Sequence, residues 1–432
     1  MTEPVDILIV GAGPAGMAAA VAASGSSRHV ILIDDNAAAG GQVWRNFTAQ
    51  NTRDYPGAKA LADLNTRLRN TNVEVRCATR VVGQPAANVL RVEDDQGAGD
   101  LAYRHLILAT GARERFLPFP GWTLPGVMGA GGLQALVKSG LSIQGKRVVV
   151  AGSGPLLPAV AASLAKHSAH VLGIFEQAPL ACLMRFALTL AAHPGKFLEG
   201  LRYRSATLAA PYRTSSWVTR AHGNHRLQSV TVSVNGAQRE LACDYLACGF
   251  HLVPNLELSR LLGCTIDNIY VRVDANQKSS VPHIYCAGEL TGIGGLEKAF
   301  CEGEIAGLVC AGKSAAHLFD RRNRHARFAR QLDTAFAMRR DLAQLADPDT
   351  LICRCEDVPR RAVETCHNWR EAKLHTRCGM GPCQGRVCGP ATELLFGWTN
   401  DSVRPPLTPA RVRTLANACA AAQSRKISED SR

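Results

Sequence analysis

No run of about eighteen apolar residues free of charge occurs in the sequence, which argues against a membrane-spanning helix. Neither nucleotide domain is expected to carry the Cys-x2-Cys or Cys-x4-Cys redox dithiol that disulfide reductases place beside a flavin. The 13 histidines are scattered and match no Ser/His/Asp or paired-carboxylate spacing, so hydrolytic chemistry is not indicated. Aromatic residues make up only 6% of the chain and rarely interleave with its basic residues, so no nucleic-acid partner is expected. The first apolar run, VDILIV, has no basic stretch before it and no cleavage site after it, and reads as a strand, not a signal peptide.

What is present describes a globular chain. Its 432 residues, 46% hydrophobic and 20% charged, suit two or three domains with sizeable cores. The net charge is +13, and residues 321–432 hold 20 Lys+Arg against 12 Asp+Glu. The densest stretch, RRNRHARFAR (Arg321 to Arg330), reads as a solvated helix face or a docking surface for an acidic protein. Of 15 cysteines, nine are scattered in apolar contexts and read as small buried hydrophobes. The other six fall between Cys353 and Cys388, which marks a module of its own. Reduced thiols in a chain of this size point to the cytoplasm, with peripheral attachment at the inner membrane face left open.

VDILIVGAGPAGMAAAVAASGSSRHVILIDDN encodes strand, glycine turn, small-residue helix and second strand ending in acid. Gly11 and Gly13 let the backbone approach a pyrophosphate, Gly16 lets the helix pack on the strand, and Pro14 and Ala15 open the helix whose free N–H groups face the phosphates. Asp34, followed by Asp35, stands where a carboxylate accepts from ribose hydroxyls. Three further stretches select flavin for this site. AAAGGQVWR (Ala37 to Arg45), with Gly41 and Gln42, is a glycine-rich loop beside the adenosine. HLILATGARER (His105 to Arg115) is a buried strand that ends in Ala109, Thr110 and Gly111. VPHIYCAGELTG (Val281 to Gly292) ends a strand at Gly288 and Glu289, in reach of the second phosphate and the ribityl hydroxyls. Together they resemble the two-dinucleotide-domain flavoproteins that include glutathione reductase. Glu289 departs from the Asp usual there, and its longer side chain should still reach a ribityl hydroxyl.

GKRVVVAGSGPLLPAVAASLAKHSAHVLGIFEQ (Gly145 to Gln177) repeats the plan. Gly152 and Gly154 keep the first two glycines, Leu157 replaces the third, and Glu176 ends the strand without an arginine for NADP. A degenerate fold, holding a structural nucleotide or none, is expected over a working NAD(P)H site. A self-contained NAD(P)H-dependent ferredoxin-type reductase is the alternative that a working site would allow.

In the cysteine module the spacing is Cys353-x-Cys355, 27 residues, then Cys383-x4-Cys388, with Cys366 and Cys378 extra. Cys-x-Cys is tight for a zinc knuckle, whereas iron clusters take four thiolates from separate loops. Gly379, Gly381 and Gly385 leave amides free for sulfur, and Arg354 and Arg386 offset thiolate charge. A 2Fe–2S cluster is the favoured reading, with zinc or no metal open. Val363, Cys366 and Trp369 at helical spacing predict a helix with Cys366 in the core.

CRCEDV with RCGMGPCQGRVC resembles the bacterioferritin-associated-ferredoxin type of 2Fe–2S domain, in the form fused to α (A) subunits of bacterial hetero-oligomeric amine and amino-acid dehydrogenases. ATGARERFLPFPGWTLPGVMGAGGLQ, GSGPLLPAVA and ACGFHLVPN resemble the same subunits, which serve D-hydroxyproline dehydrogenase, opine oxidases and hydrogen cyanide synthase. Sarcosine oxidase α is a more distant likeness. Cys378 stands where alanine is common in that family, so the resemblance assigns metal ligation to Cys353, Cys355, Cys383 and Cys388. Spacing alone leaves Cys378 in play. The resemblance further implies FAD in the first site and FMN at the interface with a β subunit similar to D-amino-acid dehydrogenases. It also implies a quinone or other respiratory acceptor, and a small third ferredoxin-like subunit. Catalytic residues would lie in the β subunit. D-hydroxyproline is the first-choice substrate and an opine such as octopine or nopaline the second. The expected fold is α/β, a two-dinucleotide-binding-domain flavoprotein with a small, mainly helical C-terminal 2Fe–2S domain. Its expected parts are residues 1–117 with 251–320 (FAD), 118–250 (NAD-like), 321–349 (basic linker), 350–395 (2Fe–2S) and 396–432 (tail).

Overall fold

The computed structural model describes residues 3–25, 27–44, 57–400 and 403–416. Arg45 of the glycine-rich loop and residues 401–402 and 417–432 of the expected tail lie outside the described residues.

One compact unit comprises residues 1–112, 254–327 and 401–432. Its sheet runs in the order Glu74–Arg76, Val30–Ile33, Val5–Val10, Ala98–Leu108, Val89–Glu93, Arg80–Ala86, and Ile284–Cys286 also pairs with Ala98–Leu108. The strands that lead to the glycine turns are parallel. They are apolar on both faces because helices cover one side and other apolar segments the other. Ile7, Ile9, Leu32 and Ile107 pack on the helix side, and Leu8, Ile31, Leu106 and Leu290 on the opposite side. Helix Pro14–Ala23 carries no bulky residue but Met17 and Val21, which lets helix Leu296–Cys310 close onto it. A Cβ on Gly303 would fall 2.0 Å from the Ala15 carbonyl oxygen, and one on Gly307 2.3 Å from that of Ala19. The backbones therefore meet where side chains would otherwise stand between them.

Part of the expected tail belongs to this unit. Leu407 N–H donates to Val82 O at 2.7 Å, and buried Glu93 accepts from Arg411 N–H at 3.0 Å and from the Thr414 hydroxyl at 2.5 Å.

The second unit comprises residues 113–253 and 328–400. Its five-stranded parallel sheet runs Tyr212–Arg213, His170–Glu176, Arg147–Ser153, Tyr245–Phe250, Val127–Gly129. Ser216–His222, Ser229–Val234 and Ala237–Ala242 form an antiparallel sheet beside it. Helices Leu180–Thr189 and Pro194–Ala206 have no buried residue and expose Met184, Leu188, Phe197, Leu198 and Leu201. Cys243 and Cys248, spaced Cys-x4-Cys, are both buried, and desolvation pushes Cys243 up to about 12 and Cys248 higher, which disfavours the thiolate in both.

Residues 321–349 are not a linker. Helix Phe319–Ala335 places Phe328, Leu332, Ala335 and the following Phe336 against Ala178, with its arginines turned outward, as an amphipathic spacing requires. The cysteine module is likewise no separate body. Leu342, Leu345, Val387 and Leu394 join the core around Leu117, Phe119 and Trp122. The Trp122 indole N–H donates to Leu351 O at 2.7 Å, and Arg113 Nε to Arg386 O at 3.0 Å. The module itself is a short hairpin, Leu351–Cys353 with Val358–Pro359, and helices Arg360–Val363, Trp369–Thr376 and Cys388–Phe396. The predicted helix through Cys366 is split, because Asn368 caps the next one by accepting from Glu371 N–H at 2.9 Å. Cys366 is left half-buried while Val363 and Trp369 are core. No helix among the described residues is long and apolar enough to cross a membrane.

The close helix approach is testable. Gly303→Ala should lower the melting temperature by roughly 4–10 °C, equivalent to about 2–3 kcal/mol. Gly99→Ala, at an exposed site where a Cβ meets nothing within 4 Å, should melt as the parent does in thermal circular dichroism.

Candidate functional site

The first crevice is built around the glycine turn. Gly11 adopts φ +104°, and a Cβ there would lie 2.3 Å from the Ala109 carbonyl oxygen, so the turn is drawn against the strand end Ala109–Thr110. Gly16 is as tight, with a Cβ falling 1.7 Å from Gly11 O. Pro14 opens the helix and Ala15 is buried behind it. Asp34 is nearly buried and accepts from Ala12 N–H at 2.5 Å and from Asn36 N–H at 2.8 Å, whereas Asp35 is exposed. The loop bearing Gly41 laps over the turn. Gly40 N–H donates to Ala12 O at 2.8 Å, a Cβ on Gly41 would fall 2.9 Å from the Gly13 Cα, and Gln42 is exposed. Thr110 is held by Asn255, whose amide donates to Thr110 O at 2.7 Å and whose carbonyl accepts from the Thr110 hydroxyl at 2.9 Å. Gly111 faces open space.

Gly288 and Glu289 are positioned by two residues that carry no motif. Lys298 and Glu302, one turn apart on helix Leu296–Cys310, are both buried and paired at 2.8 Å. Lys298 also donates to Gly288 O at 3.0 Å and the Thr291 hydroxyl at 2.9 Å, while Glu302 accepts from Gly288 N–H at 3.0 Å. The signal that could have found them is a Lys and a Glu four apart on the face of the helix that also carries Gly303 and Ala306 toward the core. Glu289 accepts from Gly295 N–H at 3.0 Å through one oxygen, and its other oxygen is buried with no partner. Burial, reinforced by Glu302 and opposed by Lys298 and the Gly295 amide, pushes Glu289 up to about 7. An orphaned carboxylate oxygen suits a donor such as a ribityl hydroxyl, and the glycine turn suits a pyrophosphate, so these residues fit a flavin dinucleotide.

The second crevice has the same local plan and a different cover. Gly152 has φ +141° and would place a Cβ 1.8 Å from Gly249 O, and Gly154 has φ +107°. Glu176 accepts from Gly154 N–H and Ala178 N–H, both at 2.8 Å, and is 0% exposed, and burial pushes it up to about 7. Beside it, the Ser153 hydroxyl donates to Phe336 O at 3.2 Å. Gln177 donates to Ala337 O at 3.1 Å and accepts from Arg339 N–H at 3.2 Å. Residues 336–339 thus lie across the strand ends where the adenosine half of a dinucleotide would start. Leu157, in place of the third glycine, is fully buried.

In the cysteine module, Cys353, Cys378 and Cys388 are buried with their sulfurs all within 4.8 Å of one another. Cys355 is exposed and hydrogen-bonds Cys383, which is half-buried. The sulfur of Cys353 is held well below the usual thiol range by hydrogen bonds from Cys378 and Cys388 and from the amides of Gly379 and Glu356. All four predicted ligands are thus in one loop cluster, joined by Cys378. A set of soft sulfur donors with backbone amides aimed at them fits a thiolate-bound metal centre. Gly379 and Gly385 leave room for the Trp369 ring, which a Cβ would meet at 2.5 and 2.9 Å. The Arg354 guanidinium lies 5.8 Å from the Trp122 ring.

The titration of Glu289 has a sign. Its folded value of about 7 exceeds its ordinary 4.5, so the stability tied to its proton is complete below the latter and lost as pH rises through the former. Flavin-free Glu289→Gln, which keeps an oxygen for the Gly295 amide, should melt a few degrees above the parent at about pH 8 and level with it at about pH 4.

Residues 5–315 match the family described as pyridine nucleotide-disulphide oxidoreductase. The chain is 34% identical over 434 residues to the HcnB component of hydrogen cyanide synthase from Pseudomonas aeruginosa, covering 92% of each. It is 30% identical over 464 residues to the opine oxidase A-type subunit of Agrobacterium tumefaciens, covering 95% of this chain and 91% of that one. Among solved structures, L-proline dehydrogenase from P. horikoshii superposes with a TM-score of 0.72 at 19% identity, over 95% of this chain and 79% of that one. T. acidophilum thioredoxin reductase superposes with a TM-score of 0.54 at 22% identity, over 72% of this chain and 98% of that one. At such identities these two bear on the fold alone, which is that of the two-dinucleotide-binding flavoproteins. The likeness to those subunits over nearly the whole chain, read from the motifs, holds, and the chain belongs to the pyridine nucleotide-disulphide oxidoreductase family.

Proposed function

We propose that the chain is the electron-carrying α subunit of a hetero-oligomeric flavin and iron–sulfur dehydrogenase that oxidises an amino acid at its C–N bond. The observation that carries this reading is the gathering of five cysteines in a loop cluster on a two-dinucleotide fold. The extended similarity to proteins named as subunits of hydrogen cyanide synthase and opine oxidase supports it.

In this reading FAD occupies the first crevice. Gly11, Gly13, Pro14, Ala15 and Gly16 face the pyrophosphate, and Asp34 and Asp35 the adenosine ribose. Gly41 and Gln42 lie along the adenosine, Ala109 to Gly111 line the floor, and Gly288 and Glu289 hold the ribityl chain. Cys353, Cys355, Cys383 and Cys388 hold a 2Fe–2S cluster. A flavin exchanges electrons in pairs or singly, and such a cluster passes them singly, so the two together convert and conduct. The chain's own part is to bind both, to exclude water from Lys298 and Glu302, and to offer amides to sulfur. Substrate oxidation belongs to a β subunit similar to D-amino-acid dehydrogenases. FMN at the interface, a quinone-type acceptor and a small third ferredoxin-like subunit complete the path. D-hydroxyproline is the first substrate to try and an opine the second. Gly152, Gly154 and Glu176 do not form a live nicotinamide site, a reading supported by the residues 336–339 that cover it.

The test is co-purification with a D-amino-acid-oxidase-like protein encoded beside this chain. FAD should be released on denaturation, iron and sulfide should be present, and D-hydroxyproline or octopine should reduce the cluster. Reduction by NADH of the isolated chain would sink the subunit reading in favour of a self-contained reductase.

A further inference from the structure

Cys378 has the burial of a core residue and the surroundings of a ligand. Helix Trp369–Thr376 ends at Arg377 in the left-handed region, φ +63°, which turns the chain so that Cys378 heads into the core of the module. There it joins Cys353, Cys388 and Trp369. Its sulfur is within 4.8 Å of both Cys353 and Cys388, and theirs of each other. Two thiolates on one tetrahedral ion stand roughly 3.8 Å apart, given metal–sulfur bonds of about 2.3 Å. Any two of the three sulfurs therefore reach one ion by closing their separation by about 1 Å or less.

Cys355 and Cys383 form a second pair, next to the group of three and outside it. A 2Fe–2S cluster takes two thiolates on each iron. With Cys355 and Cys383 on the outer iron, three sulfurs remain for the two places on the inner one. The loop that carries two of the three is held firmly, since Gly379 and Gly385 close on the Trp369 ring and Gly389 N–H donates to Gly385 O at 2.7 Å. No large rearrangement is needed to exchange them.

We infer that Cys378 and Cys388 are interchangeable ligands of the inner iron, so that the site holds a reserve thiol. The inference rests on the cluster reading above. The reserve lets the inner iron stay bound when either sulfur is lost, whereas the outer pair has no such spare among the described residues.

The experiment uses the full chain purified without oxygen, with iron, acid-labile sulfide and the electron paramagnetic resonance of the reduced protein as readouts. Cys378→Ala should keep the iron of the parent. Cys388→Ala should keep at least about half of it with a shifted resonance, because a different sulfur now ligates. The double variant Cys378→Ala with Cys388→Ala should retain less than about a tenth, and so should Cys383→Ala. If Cys388→Ala is as empty as the double variant, Cys378 is only a core sulfur and the inference fails while the cluster reading stands. If Cys378→Ala alone loses its iron, the two are not interchangeable. A parent chain that binds no iron, or binds zinc, overturns the cluster reading and the inference with it. FAD content and thermal unfolding report folding. Should Cys388→Ala unfold, Cys388→Ser with and without Cys378→Ala makes the same comparison, with iron expected only where Cys378 is present.

Discussion

Around the ammonium of Lys298 three oxygens are gathered away from water: those of Glu302, Thr291 and Gly288. A charge left unpaired at that depth would cost several kcal/mol, so these groups hold or fail together. They sit where the strand Ile284–Cys286 hands over to helix Leu296–Cys310, the helix whose glycines seat it on Pro14–Ala23. The relative position of the glycine turn and Glu289 follows from that one buried arrangement. Glu289 then stands beside the network with one oxygen still to offer.

The two crevices show how far local geometry goes. In both, a glycine turn closes on a neighbouring strand and a carboxylate at the next strand end accepts from the turn's amides. Over the first turn laps the loop of Gly40 and Gly41. Beside the second acid, which like Asp34 is buried, residues 336–339 clip Gln177. The covering segment comes from more than 150 residues further along the chain, as the hydrogen-bond separations of 160 and 162 residues show. Nothing in the local pattern announces it.

The same holds for the cysteine module. Its crowding of cysteines and glycines is visible in the sequence, and so is the division into a Cys-x-Cys and a later group. The pairing of sulfurs is not. Cys378 resembles a bystander by its position in the chain, and only the left-handed turn at Arg377 directs it to Cys353 and Cys388. Residues 321–349 read as a linker because their arginines dominate the composition. The apolar residues between them, Phe328, Leu332 and Phe336, determine where the helix lies.

Residue order alone accounts for the strand–turn–helix units, the acids that end the second strands and the thiols that gather near the C-terminus. These depend on contacts a few residues apart, where glycine, proline and side-chain spacing act directly on the backbone. Folding in three dimensions settles which distant segment covers the second crevice, which lysine and glutamate hold the Gly288–Glu289 turn, and which sulfurs meet. Those outcomes depend on segments far apart in the chain competing for the same buried space, a contest that local spacing does not record.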